Sequence, residues 1–420
     1  MKVMKFGGAS VKDAQSIRNV ADIIRDYCGD DLCVVVSAIG KTTNALEQVV
    51  NDYFLNPERA LTSLKEVRNF HDTILLDLFK DLNHKVYDDV SNFFAELEWV
   101  LEEPMNHGYD HTYDQIVSVG ELLSSCILCH YLNLETAPFL WLDIRDILIT
   151  DKRYRQARVK WQESLGRFSE FTSKSKGRKL FVTQGFIGST DDNQTTTLGR
   201  EGSDYTAAII ATFAGAPELI IWKDVPGVLS ADPKKISDAK LLTHLSYHDA
   251  IELTYYGATV IHPKTIQPLQ AANIPLRVKS FSDKRLPGTI IDGNSDSIHI
   301  PCLIHKDRQL LLTISVKDFA FIVEENLSTI FSILARFGVR VNLMQNSAIS
   351  FFVCIDDDER IRMQLLDELK REFKVLYNQD LELLTVRYYQ TDTIEAFTLG
   401  RELLLEQRSR NTFQAVMKKR

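Results

Sequence analysis

The segment Lys2-Val-Met-Lys-Phe-Gly-Gly-Ala-Ser10 decides the fold class, because it joins a strand to a helix through a glycine turn. Lys2–Phe6 is typical of a strand. Ser10 is a suitable N-cap, and Asp13 three residues later suits a capping box. The apolar residues of the following run share one helical face: Val11, Ala14, Ile17, Val20, Ala21 and Ile24. The segment therefore predicts the first strand–turn–helix unit of an α/β protein.

The same alternation continues through the N-terminal two thirds of the chain. Leu32–Val36 is typical of a buried strand, and a helix is expected from about Ala45 to Phe54. Residues 58–103 and 114–134 are predicted to be helical, and further strands are predicted at 139–142, 180–183 and 219–222. This order predicts a mainly parallel sheet sandwiched by helices.

Turn residues near Pro287-Gly288 and at 292–296 indicate a linker. Beyond it, the predicted order is βαββαβ, the ferredoxin-like topology of a small domain. The strands are expected at 310–315, 339–344, 349–355 and 381–389, and the helices at 326–337 and 358–373. A last amphipathic helix is predicted from about Thr393 to Lys418.

Composition excludes several classes of function. The chain has 420 residues, 45% of them hydrophobic, and 49 Lys+Arg against 57 Asp+Glu give a net charge of -8. This balance supplies no general basic surface for nucleic acid or for an anionic membrane, so any bound phosphate must be held locally. No uninterrupted apolar run approaches the ~18 residues of a membrane-spanning helix, and the cytoplasm is the expected compartment.

The six cysteines are too sparse for a disulfide framework. Cys126 and Cys129 form a CxxC pair, but they lie in an apolar helical stripe. A zinc site of the paired-CxxC type requires a second CxxC, which the chain lacks. Buried thiols are therefore the favoured interpretation.

The glycine turn has the chemistry of an anion site. Gly7 and Gly8 allow a ligand to approach the backbone closely, the following helix offers N–H groups, and Lys5 adds a cation. The residues alone leave a plain connecting turn equally open. Gly40-Lys41-Thr42 is half of a P-loop, but Val35 stands where that motif needs glycine, so a P-loop is excluded.

Thr195-Thr-Thr-Leu-Gly-Arg-Glu-Gly-Ser-Asp204 is the densest polar and flexible segment of the chain. It offers hydroxyls, a guanidinium and carboxylates to a small zwitterion or a phosphate, which favours a binding segment over a solvated loop. Glu121 follows Gly120 at the start of an apolar helix, where a carboxylate can also serve only the helix dipole.

Together these segments resemble the aspartokinases of the amino-acid kinase superfamily. Seven ordered blocks carry the resemblance: 5–11, 36–44, 119–122, 183–188, 195–204, 222–227 with 232–233, and 257–263. The resemblance implies transfer of the γ-phosphate of ATP, with Mg²⁺, to the β-carboxylate of L-aspartate. The product is 4-phospho-L-aspartate, and the step opens lysine, threonine and methionine biosynthesis.

The resemblance also implies roles for individual residues. Lys5 and Asp204 are the expected catalytic residues, and no residue is assigned as a metal ligand. The expected aspartate-binding residues are Ser37, Thr43, Glu121, Arg200, Glu201, Gly202 and Ser203. The expected ATP-binding residues are Lys5, Gly7, Gly8, Lys223, Asp224, Leu229, Lys234 and Thr259.

Three residues depart from the family pattern, which often has Tyr, Arg and Lys at the positions of Leu229, Lys234 and Thr259. Loss of the cation at Thr259 predicts weaker ATP binding without loss of activity. Asn342 and Ala348 replace carboxylates of lysine-inhibited relatives, and 324–326 replaces a glycine-containing turn. Weak or absent inhibition by lysine is therefore expected.

The predicted domains are a catalytic domain at 1–297, an ACT regulatory domain at 298–390, and a helical remnant of a truncated second ACT domain at 391–420. The resemblance implies a homodimer formed through the ACT region. Since the sequence ends soon after that region, no fused homoserine dehydrogenase is expected. Two alternatives are a kinase for another acid, such as glutamate, and a catalytically weak amino-acid sensor of the same fold. Retention of Lys5, Arg200 and Asp204 favours the aspartate kinase.

Overall fold

The computed structural model describes residues 1–174, 179–258, 261–294, 300–318 and 320–418. The chain divides into two compact units. The first unit comprises Met1–Val228, Thr243–Ile251 and Val260–Ser297. The second unit comprises Leu229–Leu242, Glu252–Thr259 and Ile298–Arg420.

Strands of the first unit build a large sheet and a small hairpin. They are β1 (Lys2–Phe6), β2 (Leu32–Val36), β3 (Leu140–Leu142), β4 (Leu180–Gln184), β5 (Ile187–Ser189), β6 (Thr195–Thr197), β7 (Leu219–Lys223), β8 (His244–Ser246), β9 (Leu276–Ser280) and β10 (Thr289–Asp292). The sheet has the order β3-β4-β2-β1-β7-β9-β10-β8, and all neighbours are parallel except β9 and β10. β5 and β6 pair with each other as the hairpin. The predicted mainly parallel sheet is confirmed.

Ten helices occur in the described part of residues 1–294. They are α1 (Ala14–Arg25), α2 (Thr42–Leu55), α3 (Pro57–Leu78), α4 (Val86–Glu102), α5 (Tyr109–Val117), α6 (Val119–Glu135), α7 (Trp161–Lys174), α8 (Gly202–Phe213), α9 (Tyr247–Tyr256) and α10 (Pro263–Ala271). The expected capping by Ser10 is wrong. Gly8–Val11 form a short 3₁₀ turn, and the Asp13 side chain caps α1 by accepting from the Ser16 N–H at 2.7 Å.

Helix α6 lies in the core of the first unit. Every residue from Val119 to Cys129 is buried, and a Cβ on Gly120 would lie 3.1 Å from Ala38 Cβ. Among the described residues, Tyr109–Glu135 is the one helical stretch that by length and composition could cross a membrane. Of its most apolar 18 residues, 89% are buried inside the protein, as in the core helix of a folded domain. Close packing thus fixes the start of α6 against α2 and the turn before it.

The second unit contains an antiparallel sheet with helices. Its elements are β11 (Cys302–Val316), α11 (Glu324–Arg336), β12 (Val341–Asn346), β13 (Ser350–Asp356), α12 (Glu359–Glu372), β14 (Phe373–Arg387), α13 (Thr391–Thr398), β15 (Leu403–Arg408) and β16 (Thr412–Lys418). The sheet order is β12-β13-β11-β14-β16-β15. The first six elements follow the predicted βαββαβ order, and the predicted topology is confirmed.

The predicted helix from Thr393 to Lys418 is wrong. Helix α13 ends at Thr398, Gly400 takes a positive φ of 73°, and the chain continues as the β15–β16 hairpin. β16 pairs with β14, and Phe413, Ala415 and Met417 on one of its faces are fully buried. Pairing with β14 and burial of every residue from Thr412 to Met417 therefore outweigh helical periodicity here, and Gly400 is the local stop signal.

Candidate active site

Two neighbouring parallel strands bring two lysines to the same edge of the large sheet. Lys5 lies near the end of β1, Lys223 ends β7, and Phe6 pairs with Trp222 between them. Parallel strands end at a common edge, and the first turn of α8 presents Asp204 there. Segments more than 200 residues apart in the chain thus meet in one charged cluster.

The cluster is a buried ion triad. Lys5 Nζ lies 2.5 Å from Asp204 Oδ1, and Lys223 Nζ lies 3.2 Å from Asp204 Oδ2. Asp204 is fully buried. Burial raises the pKa of Asp204, but the two ammonium groups outweigh it and hold that pKa below its usual range. Asp204 is therefore an anion that fixes both lysines at the sheet edge.

Glu121 is a second buried carboxylate, held on a different element. It lies in the first turn of α6, and its Oε1 accepts a hydrogen bond from the Ala38 N–H at 3.3 Å. Oε2 is buried and has no hydrogen-bond partner among the residues that the structure describes. Burial raises the pKa of Glu121 to about 8. An unsatisfied carboxylate oxygen of this kind can accept hydrogen bonds from a ligand ammonium.

The two glycine-containing turns pack against each other beneath this edge. The Gly40 N–H donates to the Gly8 carbonyl at 3.1 Å. A Cβ on Gly8 would lie 2.7 Å from the Ala38 carbonyl oxygen, which is too close for any side chain. Gly8 is therefore required by the approach of the two turns.

The polar segment 195–204 is not a solvated loop. Thr195–Thr197 form strand β6, and Glu201 takes a positive φ of 56° before α8 begins. A Cβ on Gly202 would lie 2.7 Å from the Phe186 ring. Tight packing on both sides orients the side chains that follow, which a solvated loop does not do.

These elements surround a cavity of about 920 Å³. Nine of the residues predicted from the sequence line it: Lys5, Ser37, Thr43, Glu121, Arg200, Glu201, Gly202, Ser203 and Asp204. The wall thus combines ammonium, guanidinium, hydroxyl and carboxylate groups. Burial raises the pKa of Glu201, and the neighbouring Asp204 raises it further. Such a lining suits a small zwitterion beside an anion.

The other predicted residues occupy three different places. Of the described residues, Gly7, Gly8, Lys223 and Asp224 belong to the first unit but do not line this cavity. Leu229 and Lys234 belong to the second unit. There, Leu229 forms a bridge with Leu241, and the Lys234 N–H donates to Asp232 Oδ1 at 2.9 Å. Thr259 lies outside the described residues.

Sequence reasoning missed one wall of the cavity. The missed lining residues are Asp110, Tyr113, Arg153, Tyr154, Arg155, Gln156 and Phe186, whereas Thr197 and Gly199 belong to the segment 195–204 that was predicted to bind. Arg155 stacks over the Tyr113 ring, with its guanidinium carbon 4.4 Å from the ring centroid. The available signal was the basic segment 152–158, which contains Lys152, Arg153, Arg155 and Arg158.

Asp114 holds this missed wall together. Its carboxylate accepts from the Arg155 N–H at 3.0 Å and from the N–H and hydroxyl of Thr197 at 2.8 and 2.7 Å. Burial raises the pKa of Asp114 to about 6. The side chain therefore ties α5 to β6 and to the basic segment by charge-assisted hydrogen bonds.

Comparison with known proteins gives a consistent set of relatives. Residues 1–280 match the model of the amino acid kinase family. The chain is 30% identical to lysine-sensitive aspartokinase 3 of Escherichia coli over 411 residues, which cover 96% of this chain and 89% of that protein. It is 36% identical over 295 residues to a chloroplastic bifunctional aspartokinase/homoserine dehydrogenase of Zea mays.

The chain spans only part of its bifunctional plant relatives, 32% of that maize protein and 42% of an Arabidopsis thaliana protein. Solved structures match over the full length. The crystal structure of E. coli aspartokinase III with lysine and aspartate has a TM-score of 0.84 at 27% identity, covering 99% of this chain and 95% of that one. The structure of the same enzyme with aspartate and ADP has a TM-score of 0.82 at 26% identity, covering 100% and 96%.

Proposed function

The chain belongs to the amino acid kinase family and, within it, to the aspartokinases, and from this premise we propose that it phosphorylates the β-carboxylate of L-aspartate with ATP. The products are 4-phospho-L-aspartate and ADP. One observation carries the proposal: a single cavity joins the unsatisfied carboxylate oxygen of Glu121 to the buried Lys5–Asp204 pair and to Arg200. These groups match the charges of aspartate and of a phosphate.

Aspartate is proposed to bind between Arg200 and Glu121. The Arg200 guanidinium would bind the α-carboxylate, and the free Oε2 of Glu121 would accept from the α-ammonium group. Ser37, Thr43 and Ser203 line the same cavity with hydroxyl groups, and Glu201 and Gly202 complete this wall. Two opposed charged anchors would leave the β-carboxylate to point toward Lys5.

Transfer of the phosphoryl group needs no general base in this arrangement. A β-carboxylate oxygen forms a bond to the γ-phosphorus, and the bond from that phosphorus to the bridging oxygen of ADP breaks. The nucleophile is already ionised, so no proton moves. Lys5 neutralises charge on the phosphate, while Asp204 holds Lys5 and Lys223 in place.

ATP is proposed to contact Gly7, Gly8, Lys223 and Asp224. The ATP-binding roles expected of Leu229, Lys234 and Thr259 remain proposals from the family resemblance. The Glu201 carboxylate lines the same cavity and is an oxygen ligand of the type that Mg²⁺ prefers, so the residues fit a phosphate-bound ion. When bound, Mg²⁺ supplies further neutralisation of the phosphate charge. The rest of the catalysis is proposed to come from the protein: Lys5 neutralises charge on the phosphate, and the cavity wall positions the two substrates.

The experiment is a hydroxamate assay with ATP, Mg²⁺ and L-aspartate, run beside L-glutamate. The proposal predicts hydroxamate formation with aspartate and little with glutamate, because one extra methylene moves the reacting carboxylate relative to Lys5. Equal turnover of both acids would contradict the assigned substrate. No turnover of either acid by folded protein would favour the sensor.

The second unit is proposed to be regulatory. Its βαββαβ segment supports assignment of 298–390 as an ACT domain, with 391–420 as an appended segment. We further propose a homodimer formed through this region, a cytoplasmic enzyme, and a place at the first step of lysine, threonine and methionine biosynthesis. Light scattering at assay concentration tests the dimer, and a monomer mass would overturn it.

A further inference from the structure

A second cluster of reactive side chains lies away from the active-site cavity, between helices α4 and α6. Asp89 on α4 faces Cys126 and His130 on α6. One ligand atom of each residue can be chosen so that all three lie within 4.8 Å of one another. We infer that Asp89, Cys126 and His130 form a binding site for one zinc ion, with a fourth position open to water.

The spacing on α6 is suited to chelation. Cys126 and His130 are four residues apart, so their side chains lie on the same helical face one turn apart. His130 Nε2 already lies 2.9 Å from Asp89 Oδ2. Ligands about 2.0–2.3 Å from a tetrahedral zinc ion lie about 3.3–3.8 Å apart, so side-chain movements of about 1 Å would complete the site.

The site has an entry path and room for the open position. Asp89, Cys126 and His130 line a cavity of about 580 Å³. Cys126 is buried, whereas the side chains of His130 and Asp89 are 21% and 27% exposed. An ion can therefore enter from solvent and reach the thiol.

Cys129 lines the same cavity but is engaged elsewhere. Its Sγ lies 3.7 Å from the Phe139 carbonyl oxygen, and Asn133 Nδ2 lies 3.8 Å from the same sulfur. The CxxC pair is thus not the chelating unit. The proposed zinc ligands on α6 are Cys126 and His130, and the third ligand, Asp89, lies near them only in the folded protein.

Charge and ligand type select the metal. The site offers one sulfur, one imidazole nitrogen and one carboxylate oxygen, which suits zinc rather than Mg²⁺. Binding releases the Cys126 thiol proton to solvent, so the thiolate and Asp89 together balance the two positive charges. Lys85 Nζ lies 3.8 Å from Asp89 Oδ2 on an exposed side chain and can move into solvent.

The test is titration of the folded full-length protein with Zn²⁺ against a chromophoric chelator, in millimolar Mg²⁺ and without ATP. We expect one zinc ion per chain and a rise in melting temperature on binding. Co²⁺ as a substitute should give a thiolate-to-cobalt absorption band. Absence of saturable zinc binding by the wild-type protein would overturn the inference.

Three variants locate the ligands. Cys126→Ser and His130→Asn are each expected to weaken zinc binding at least about tenfold. Cys129→Ser, on the same helix and in the same cavity, is the matched control and is expected to keep wild-type affinity. Equal loss in Cys126→Ser and Cys129→Ser would overturn the ligand assignment. The cobalt band of the wild-type protein tests thiolate ligation even where a variant fails to fold.

Discussion

Two polar clusters, one in each unit, differ in whether their groups satisfy one another. In the described part of the first unit, Glu121 keeps one buried carboxylate oxygen without a hydrogen-bond partner. In the second unit, Asn342 Nδ2 donates to Gln309 and to Asp356 at 2.8 Å, and Asn342 Oδ1 accepts from Lys306 at 2.8 Å. A satisfied cluster stabilises its own fold, whereas an unsatisfied buried group indicates a place for a ligand.

The largest expected effect is the loss of turnover on replacing Lys5 of the first unit, compared with replacing Lys306 of the second. Lys5→Ala should lower turnover at least about 10³-fold, or about 4 kcal/mol of transition-state stabilisation, because charge on the transferring phosphate loses its neutralising cation. Lys306→Ala should leave turnover within about twofold and lower the melting temperature instead. Hydroxamate kinetics and thermal unfolding measure the two quantities.

Lys2→Ala is the matched control for Lys5→Ala, since Lys2 lies on the same strand and pairs with Asp30 at the surface. Circular dichroism establishes that each variant is folded. Near-normal turnover of folded Lys5→Ala would contradict the role proposed for Lys5. The two clusters would then not differ in their importance for catalysis.

Glu121→Gln should raise the KM for aspartate about 10- to 100-fold, because the neutral amide loses the charge that binds the ammonium group. The KM of the wild-type enzyme for aspartate should itself depend on pH. The pKa of Glu121 is raised to about 8, so the carboxylate becomes charged as the pH rises through 8. The wild-type KM should therefore fall between pH 7 and 9, and that of Glu121→Gln should stay flat. A sloping profile in the variant would assign the titration to another group.

Ionisation of the same carboxylate should favour aspartate binding but lower the free energy of unfolding. Between pH 4.5 and about 8, the folded protein retains a proton on Glu121 that the unfolded chain has lost. Stability from this group is fully present below pH 4.5, the ordinary pKa, and is lost as the pH rises toward 8. Glu121→Gln should thus gain melting temperature relative to wild type at pH 8 more than at pH 5. An equal difference at both pH values would contradict the burial argument.

Lysine should inhibit the enzyme weakly or not at all, although one relative is a lysine-sensitive aspartokinase. The family resemblance predicts a carboxylate at the position of Asn342 in lysine-inhibited enzymes, and the Asn342 side chain is engaged with Gln309, Asp356 and Lys306. No carboxylate at this position is left to pair with a lysine ammonium group. Half-maximal inhibition at low-millimolar lysine in the hydroxamate assay would sink this prediction.

The smallest expected effect concerns ATP. Thr259→Lys should tighten the apparent affinity for ATP several-fold, or about 1 kcal/mol, by restoring the cation that the family pattern often has at this position. Turnover at saturating ATP should not change. The apparent KM for ATP measures this, and an unchanged value would count against a phosphate contact at this position.

Much of the candidate site could be predicted because its residues lie in contiguous motifs. Lys5 stands just before the Gly7-Gly8 turn and the segment 200–204 follows Gly199, so the chemistry of both is visible in the sequence. Arg155 was missed because its place depends on a long-range anchor, the bonds from its N–H to Asp114. The C-terminal hairpin was missed because β14 supplies its partner strand.

The sequence by itself determined the alternation of strands and helices, the βαββαβ order, and the charged motifs of one kinase family. Periodicity, glycine turns and cap residues act over a few residues, so they can be read locally. The tertiary structure alone decided that Asp204 joins Lys5 to Lys223, that Glu121 keeps an unsatisfied oxygen, and that Asp89 faces Cys126 and His130. Burial and long-range pairing set those contacts, because desolvation and charge depend on neighbours that are distant in the chain.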